Sequence, residues 1–175
     1  MGDKPGGPVR VGVAEATSGV VVESFESFFA REYRPVLALA FVLTGDRTAA
    51  EDLAQEAFLA AFREWPSISS PGSWVRATVS NRAMSWWRRT YAARRAITRL
   101  TGSEPAVWEM PEDTEGFWDE VRRLPRRQAQ TISLYYLEDR SADEIGALLG
   151  CEPSTVRIHL SRGRRALASR LGVEE

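Results

Sequence analysis

The sequence predicts an all-α protein made of two small helical units joined by a flexible linker. From Ser24 onward, apolar residues recur at spacings of three and four, which is the period of an amphipathic helix. Gly, Pro and capping residues punctuate these stretches, and no alternating pattern typical of a strand stands out. Acidic residues and prolines are concentrated in residues 99–115, which divide the helical pattern into two groups and form the predicted linker.

The composition excludes several classes of function. The 175 residues contain one Cys and one His, so neither a disulfide framework nor a zinc finger can form. No window approaches ~18 uninterrupted apolar residues, which excludes a membrane span, and no secretion signal is expected at the N-terminus. No nucleophile, metal cluster or phosphate-binding Gly loop is evident. We therefore expect a cytosolic protein that is not an enzyme, holds no cofactor or metal and has no membrane partner.

The charges are segregated along the chain, although they nearly cancel to a net charge of −1. Of the 23 basic residues, 22 are Arg. Residues 65–103 and 153–173 contain no acid, whereas residues 104–120 carry seven acids and no base. Segregated basic blocks are the electrostatic signature of phosphate binding. The alternative is a pair of solvated Arg-rich helix faces.

The first unit, residues 23–98, is predicted to hold three helices. Pro35 interrupts the apolar stripe of the first helix and predicts a kink or a break. Gly45 ends this helix, and Asp46 or Thr48 can cap the second. The predicted buried stripe of the second helix comprises Ala50, Leu53, Ala57, Phe58, Ala61 and Phe62.

The third helix is predicted from near Ser73 to about Arg95, after a breaker stretch over residues 66–72. Its outer face is expected to carry Arg76, Ser80, Asn81, Met84, Trp87, Arg88 and Arg89. Arginines interleaved with aromatic side chains suit a single nucleic-acid strand, which needs stacking surfaces and a cationic groove. The alternative is that Trp74 and Trp86 belong to the core.

The second unit, residues 116–172, contains the sharpest local signal in the chain. Ser141 and Glu144 form a capping box, and the helix that they open ends at Gly150. Pro153 suits the first position of the next helix, whose free face is rich in Arg. Two helices joined by a short Gly-containing turn form a helix-turn-helix, whose second helix can contact base edges. The alternative is a helical hairpin that only packs.

Two remaining features allow more than one interpretation. Residues 1–22 lack any helical period and are expected to form a disordered tail. Glu51, Asp52 and Glu56 could ligate a metal, but a face that docks a basic partner fits them better, since facing His or carboxylate residues are not apparent.

The first unit resembles a known family at several motifs. Leu-Thr-Gly-Asp at residues 43–46, followed by Ala-Glu-Asp-Leu-Ala-Gln-Glu-Ala-Phe at 50–58, resembles region 2 of bacterial RNA polymerase sigma factors. Trp-Val-Arg at 74–76, Asn-Arg-Ala at 81–83 and Trp-Trp-Arg-Arg at 86–89 resemble the rest of that region.

The second unit resembles region 4 of the same family. The similarity covers residues 141–171, including Ser-Thr-Val-Arg at 154–157 and Leu-Ser-Arg-Gly-Arg at 160–164. Two signatures in this order, with only these two regions, match the extracytoplasmic-function (group 4) sigma factors. The chain departs from many members at residues 85–87, where Ser-Trp-Trp replaces an Asp-Arg pair.

The resemblance implies a bacterial cytoplasmic factor that binds core RNA polymerase, recognises −35 and −10 promoter elements, melts the −10 DNA and initiates transcription of a specific regulon. Asp52, Gln55 and Glu56 would bind the clamp helices of the largest polymerase subunit, and region 4 would meet the flap region. The melted −10 strand would contact Ser69, Ser70, Ser73, Asn81, Arg82, Trp87, Arg88 and Arg89, with a flipped base near residues 67–73. The −35 duplex would contact Ser154, Thr155, Arg157, Ile158, His159, Arg162 and Arg165. An anti-sigma factor is a further possible partner.

Two rival functions share part of this pattern. A stand-alone helix-turn-helix repressor or activator would share the C-terminal helices, but would need a dimerisation element or a receiver domain. A helical adaptor protein would not need two acid-free arginine blocks.

Overall fold

The computed structural model describes residues 23–101 and 112–172, with side chains over 23–93 and 116–172. The predicted tail and residues 102–111 of the predicted linker lie outside this part of the chain. The helices are α1 (Phe25–Thr44), α2 (Arg47–Arg63), α3 (Pro71–Thr101), α4 (Glu112–Arg122), α5 (Arg126–Tyr136), α6 (Ala142–Leu149) and α7 (Pro153–Leu171), with a 3-10 turn at Trp65–Ser67. Residues 99–101 and 112–115 were predicted as linker, which is wrong, since they continue α3 beyond Arg95 and open α4. The described residues contain no strand, which confirms the all-α prediction. No described helix is both long enough and apolar enough to span a bilayer.

The helix boundaries follow the predicted capping signals. Asp46 caps α2, because its Oδ1 accepts a hydrogen bond of 2.9 Å from the backbone N–H of Ala49. Ser141 and Glu144 form the complete capping box of α6. Gly45 and Gly150 end their helices in the left-handed region, each with φ of 67°, which Gly adopts without the strain that a Cβ causes.

Two features of the first unit differ from the kink or break predicted at Pro35 and the start of α3 predicted near Ser73. α1 runs unbroken through Pro35, so the predicted break is absent. Buried Phe28, Val36 and Leu39 hold the helix on both sides of the proline, and this packing outweighs the one hydrogen bond that proline removes. α3 begins at Pro71 and not near Ser73, because the fixed φ and missing N–H of proline suit a first helical turn.

The first of two apolar cores lies among α1, α2 and α3. Its buried members are Phe28, Val36, Ala40, Ala50, Ala54, Ala57, Phe58, Ala61, Val75 and Val79. α2 contributes small alanines and one large ring, so the three helices approach closely. Phe62 was wrongly predicted to be buried: it is 56% exposed and touches only the rim of this core, where its ring centroid lies 5.0 Å from that of Phe25.

The second core joins the two units. It packs Leu39 and Leu43 of α1 and Met84 of α3 in one cluster with Trp118, Ile132 and other residues of α4–α7. Ser80 and Met84 were predicted to lie on the outer face of α3, which is wrong, since both side chains are fully buried. The second unit covers the part of this face that carries Arg76 and Met84, which the periodicity of one helix cannot reveal.

The turn between α6 and α7 depends on Gly146. A Cβ at this position would lie 2.6 Å from the backbone O of Cys151. We predict that Gly146→Ala destabilises the protein by about 1–3 kcal/mol, since the backbone of the turn must shift. Gly116→Ala is the matched control, because a Cβ there would meet nothing within 4 Å. Gly116→Ala should raise the free energy of unfolding by about 0.5–1 kcal/mol, because Ala loses less backbone entropy than Gly in a helix. Urea denaturation measures both values, and equal effects at the two glycines would contradict the prediction.

Candidate nucleic-acid and partner interfaces

α6 and α7 form the predicted helix-turn-helix, fixed by backbone contacts as well as apolar packing. The N–H of Cys151 donates to the O of Gly146 over 2.9 Å, which closes the turn. Pro153 opens α7, as predicted. Val156, Leu160, Gly163 and Leu167 are buried on its inner face. α7 lies close against α5, because a Cβ at Gly163 would be 3.0 Å from Ile132 Cγ1 and would require that side chain to shift.

The outer face of α7 carries the residues predicted to contact the −35 duplex. Ser154, Arg157, Ile158, Arg162 and Arg165 are exposed, and Thr155 and His159 are half-buried. Within residues 23–93 and 116–172, no acidic side chain forms an ion pair with the arginines at 157, 162 or 165. Their charge is therefore available to an external anion.

His159 lies at the edge of this face. Burial lowers its pKa, and the charges of Arg162 and Arg127 lower the pKa further. The imidazole is therefore neutral at pH 7 and can donate or accept a hydrogen bond without adding charge.

The α3 residues predicted to contact the −10 strand do not form one continuous free surface. Trp87 stacks on Tyr91 with centroids 4.7 Å apart and planes 11° apart, and Arg88 and Arg89 beside it are exposed. Asn81 instead faces the second unit, where Gln130 Nε2 donates to its Oδ1 over 2.8 Å and Arg126 donates to the same atom.

Trp74 and Trp86 are half-buried, so neither belongs fully to a core. Arg82 on the exposed side of α3 pairs with Glu56 of α2 over 2.8 Å.

A pocket of about 360 Å³ lies where the first unit meets α6. Its lining includes Ser69, Ser70 and Ser73, which the sequence analysis assigned to the −10 strand. Ala147 and Leu148 of α6 line the same pocket. The structure therefore brings the three serines together at one cavity, next to the second unit.

The outer face of α2 presents the residues predicted to bind a partner. Asp52, Gln55 and Glu56 are exposed, at helical spacings of three and four. Leu59 continues the same face and is 56% exposed, as is Phe62 beyond it. Neither residue was predicted as part of this face. The spacing of Leu59 from Gln55 was the signal for it, because a large apolar side chain on a charged face suggests a docking surface.

Arg76 is the most deeply buried charge in the described part of α3. Its Nη2 lies 2.7 Å from Glu32 of α1, and its Nε lies 2.6 Å from Glu138, which follows α5. Burial acts to lower the pKa of Arg76, but the charge of Glu138 and the hydrogen bonds that the guanidinium donates to both carboxylates raise the pKa above its ordinary value. The predicted outer-face position of Arg76 was wrong. Carboxylates from both units enclose the guanidinium.

Two family descriptions match the chain. Residues 28–96 match Sigma-70 region 2, and residues 115–167 match Sigma-70, region 4. The two matches cover the two helical units in order.

Curated relatives carry related names. A probable RNA polymerase sigma factor RfaY of Xanthomonas campestris pv. campestris is 31% identical over 149 residues, which is 78% of this chain but 37% of that protein. The ECF RNA polymerase sigma factor SigE of Mycolicibacterium smegmatis is 28% identical, over 91% of this chain and 66% of that protein. The chain thus spans between about a third and two thirds of the length of these two relatives. SigW of Bacillus subtilis, also an ECF sigma factor, is 25% identical over 78% of this chain and 82% of its own length.

Two solved structures share the fold. The sigma factor RpoE in complex with the anti-sigma factor NepR, from Bartonella quintana, has a TM-score of 0.67 and 21% identity, covering 88% of this chain and all of that one. CnrH in complex with the cytosolic domain of CnrY has a TM-score of 0.63 and 20% identity, covering 86% and 89%. With regions 2 and 4 both present in order and two of these relatives, SigE and SigW, named as ECF factors, the chain belongs to the extracytoplasmic-function group of sigma-70 RNA polymerase sigma factors.

Proposed function

We propose that the chain binds core RNA polymerase and directs it to promoters with paired −35 and −10 elements. The observation that carries this proposal is the outer face of α7, whose arginines are exposed and lack acidic partners among the described residues. A helix-turn-helix places such a face in the major groove, where Arg contacts guanine and Ser or Thr contacts bases or phosphates. Ser154, Thr155, Arg157, Ile158, His159, Arg162 and Arg165 are the proposed −35 contacts.

The first unit supplies the proposed −10 and polymerase contacts. Trp87 offers a stacking surface beside two exposed arginines, which is what an unpaired strand needs. Ser69, Ser70 and Ser73 line a pocket of about 360 Å³, in which an unstacked base is proposed to lie. Asp52, Gln55 and Glu56, with Leu59, form the proposed surface for the clamp helices of the largest polymerase subunit.

Each DNA-binding surface is small, which explains why a polymerase is required. When polymerase fixes the separation of two modules, the second DNA contact becomes effectively intramolecular. The proposed site of action is the bacterial cytoplasm, where polymerase and chromosome are found. An anti-sigma factor is a proposed partner, because relatives of the same fold are described in complex with such proteins.

The polymerase contact is tested by reversing one charge on α2. We predict that Asp52→Lys weakens binding to core RNA polymerase at least about tenfold, because like charges across an interface cost several kcal/mol. The control is Glu26→Lys, which reverses the charge of an exposed acidic residue on α1, outside this face of α2. Fluorescence anisotropy of the labelled full chain against core polymerase measures both affinities. Equal binding by Asp52→Lys and the unmodified chain would contradict the assignment.

The −35 contact is tested on α7. We predict that Arg157→Ala weakens binding of the polymerase complex to its preferred −35 element by about 1–3 kcal/mol. Binding to a scrambled element should change little, as expected for a base contact. Arg170→Ala is the matched control, since Arg170 lies on the same helix but contacts Glu120. Gel-shift titrations of the complex on the two DNA fragments measure the difference. A uniform loss on both fragments would make Arg157 a phosphate contact.

A further inference from the structure

One large apolar side chain lies at the centre of the arginine-rich outer face of α7. Ile158 is 49% exposed. The exposed residues Ser154 and Arg162 lie one helical turn before and after it on the same face. Single exposed apolar side chains are ordinary on protein surfaces, so the position of Ile158, and not its exposure alone, indicates a function.

The packing of α7 fixes Ile158 on this outer face. Val156 and Leu160, two residues before and after it, are buried in the core that includes α5. Two residues correspond to about 200° of rotation on an α-helix, so Ile158 must point away from that core. Gly163 lies close to Ile132 of α5, which leaves α7 no room to rotate.

The surroundings of Ile158 favour DNA over an apolar protein surface as its partner. Arg157, Arg162 and Arg165 are exposed, and none of them pairs with an acidic side chain of residues 23–93 or 116–172. Their charge complements that of phosphates. The second helix of a helix-turn-helix lies in the major groove, so the centre of its outer face meets base edges.

The chemistry of Ile158 selects among those base edges. In the major groove, only thymine presents a methyl group, on its C5 atom. The other bases present hydrogen-bond donors and acceptors there, which an Ile side chain cannot satisfy. Contact with the thymine methyl would remove apolar surface of both groups from water. The branched Ile side chain is also stiff at χ1, so ordering it costs little conformational entropy.

We propose that Ile158 is a specificity-determining residue that recognises one thymine of the −35 element through its C5 methyl group. This inference rests on the proposed function, since the −35 role of α7 is taken from there. It adds the base that the apolar centre of this face selects.

The expected effect is that of burying one methyl group, which changes an affinity by about fourfold. The Ala side chain is too short to fill the space of Ile. Ile158→Ala should therefore abolish the preference for the methyl group, while the arginines beside it keep their contacts with DNA.

The test uses the full chain bound to core RNA polymerase, with its preferred duplexes selected from a random library. Each thymine of the selected −35 element is replaced singly by deoxyuridine, which lacks the C5 methyl and keeps the base pair. Fluorescence anisotropy titrations compare the unmodified chain with Ile158→Ala and Ile158→Val. The matched control is Leu171→Ala, because Leu171 is also apolar and 41% exposed but lies at the C-terminal end of α7.

We expect one thymine of the element to show the effect. Deoxyuridine at that position should weaken binding about fourfold for the unmodified chain and for Leu171→Ala. Ile158→Ala should bind thymine and deoxyuridine equally, and Ile158→Val, which keeps the branched Cβ, should retain part of the preference. Circular dichroism and thermal melting confirm that each variant folds.

Two results would overturn the inference. One is a −35 element in which no thymine methyl affects binding, which would leave Ile158 to a protein partner. The other is a methyl preference of unchanged size in Ile158→Ala.

Failure of the proposed function has a different result, which is that the chain does not bind core polymerase. The same titrations on duplexes selected by the chain alone then decide the role of Ile158. If neither the complex nor the chain alone selects a sequence, the proposed function and this inference are both wrong.

Discussion

The burial of Arg76 between Glu32 and Glu138 constrains how the whole molecule packs. A guanidinium cannot leave water without compensation, and removing one partner of a buried ion pair typically costs about 3–5 kcal/mol. Here the two carboxylates come from opposite units, and each lies within 2.7 Å of the guanidinium. The pair of contacts sets the position of the second unit against α3. The apolar core around Met84 extends across the same boundary.

The same packing divides the charged surfaces of the chain into free and engaged sets. The arginines on the outer face of α7 remain exposed, whereas Arg76 and Arg122 are buried. Arg122 crosses the boundary as well, since its Nη1 donates to the backbone O of Val42 over 2.7 Å, and its guanidinium lies against Gly45. A Cβ at Gly45 would be 2.9 Å from Arg122 Cζ, so this Gly serves both the helix end and the interface. The arginines of this chain therefore have two roles. Arg76 and Arg122 form buried contacts between the units, whereas those on the outer face of α7 are available to an external anion.

Helix caps and helix ends could be predicted from the sequence, whereas contacts between the two units could not. The caps at Asp46 and Ser141, the stop at Gly150 and the first-turn Pro153 depend on neighbouring residues, and all four are confirmed. The exposed face of α7 followed from periodicity, because its opposite face had enough apolar residues to define the core. The positions of Arg76 and Met84 depend on a second unit that lies more than 30 residues away in sequence, and no pattern within α3 encodes that contact. Phe62 failed for a different reason: its spacing fits the buried stripe, but it contacts only the rim of the first core, at Phe25, and stays 56% exposed.

The most direct test of the proposed function is run-off transcription on a genomic promoter library, with core RNA polymerase in the presence and absence of the chain. The account predicts new, discrete start sites that share two upstream elements at a fixed spacing, because two DNA-binding surfaces are held on one polymerase. Failure to bind core polymerase or produce new transcripts, together with specific duplex binding by the chain alone, would contradict it.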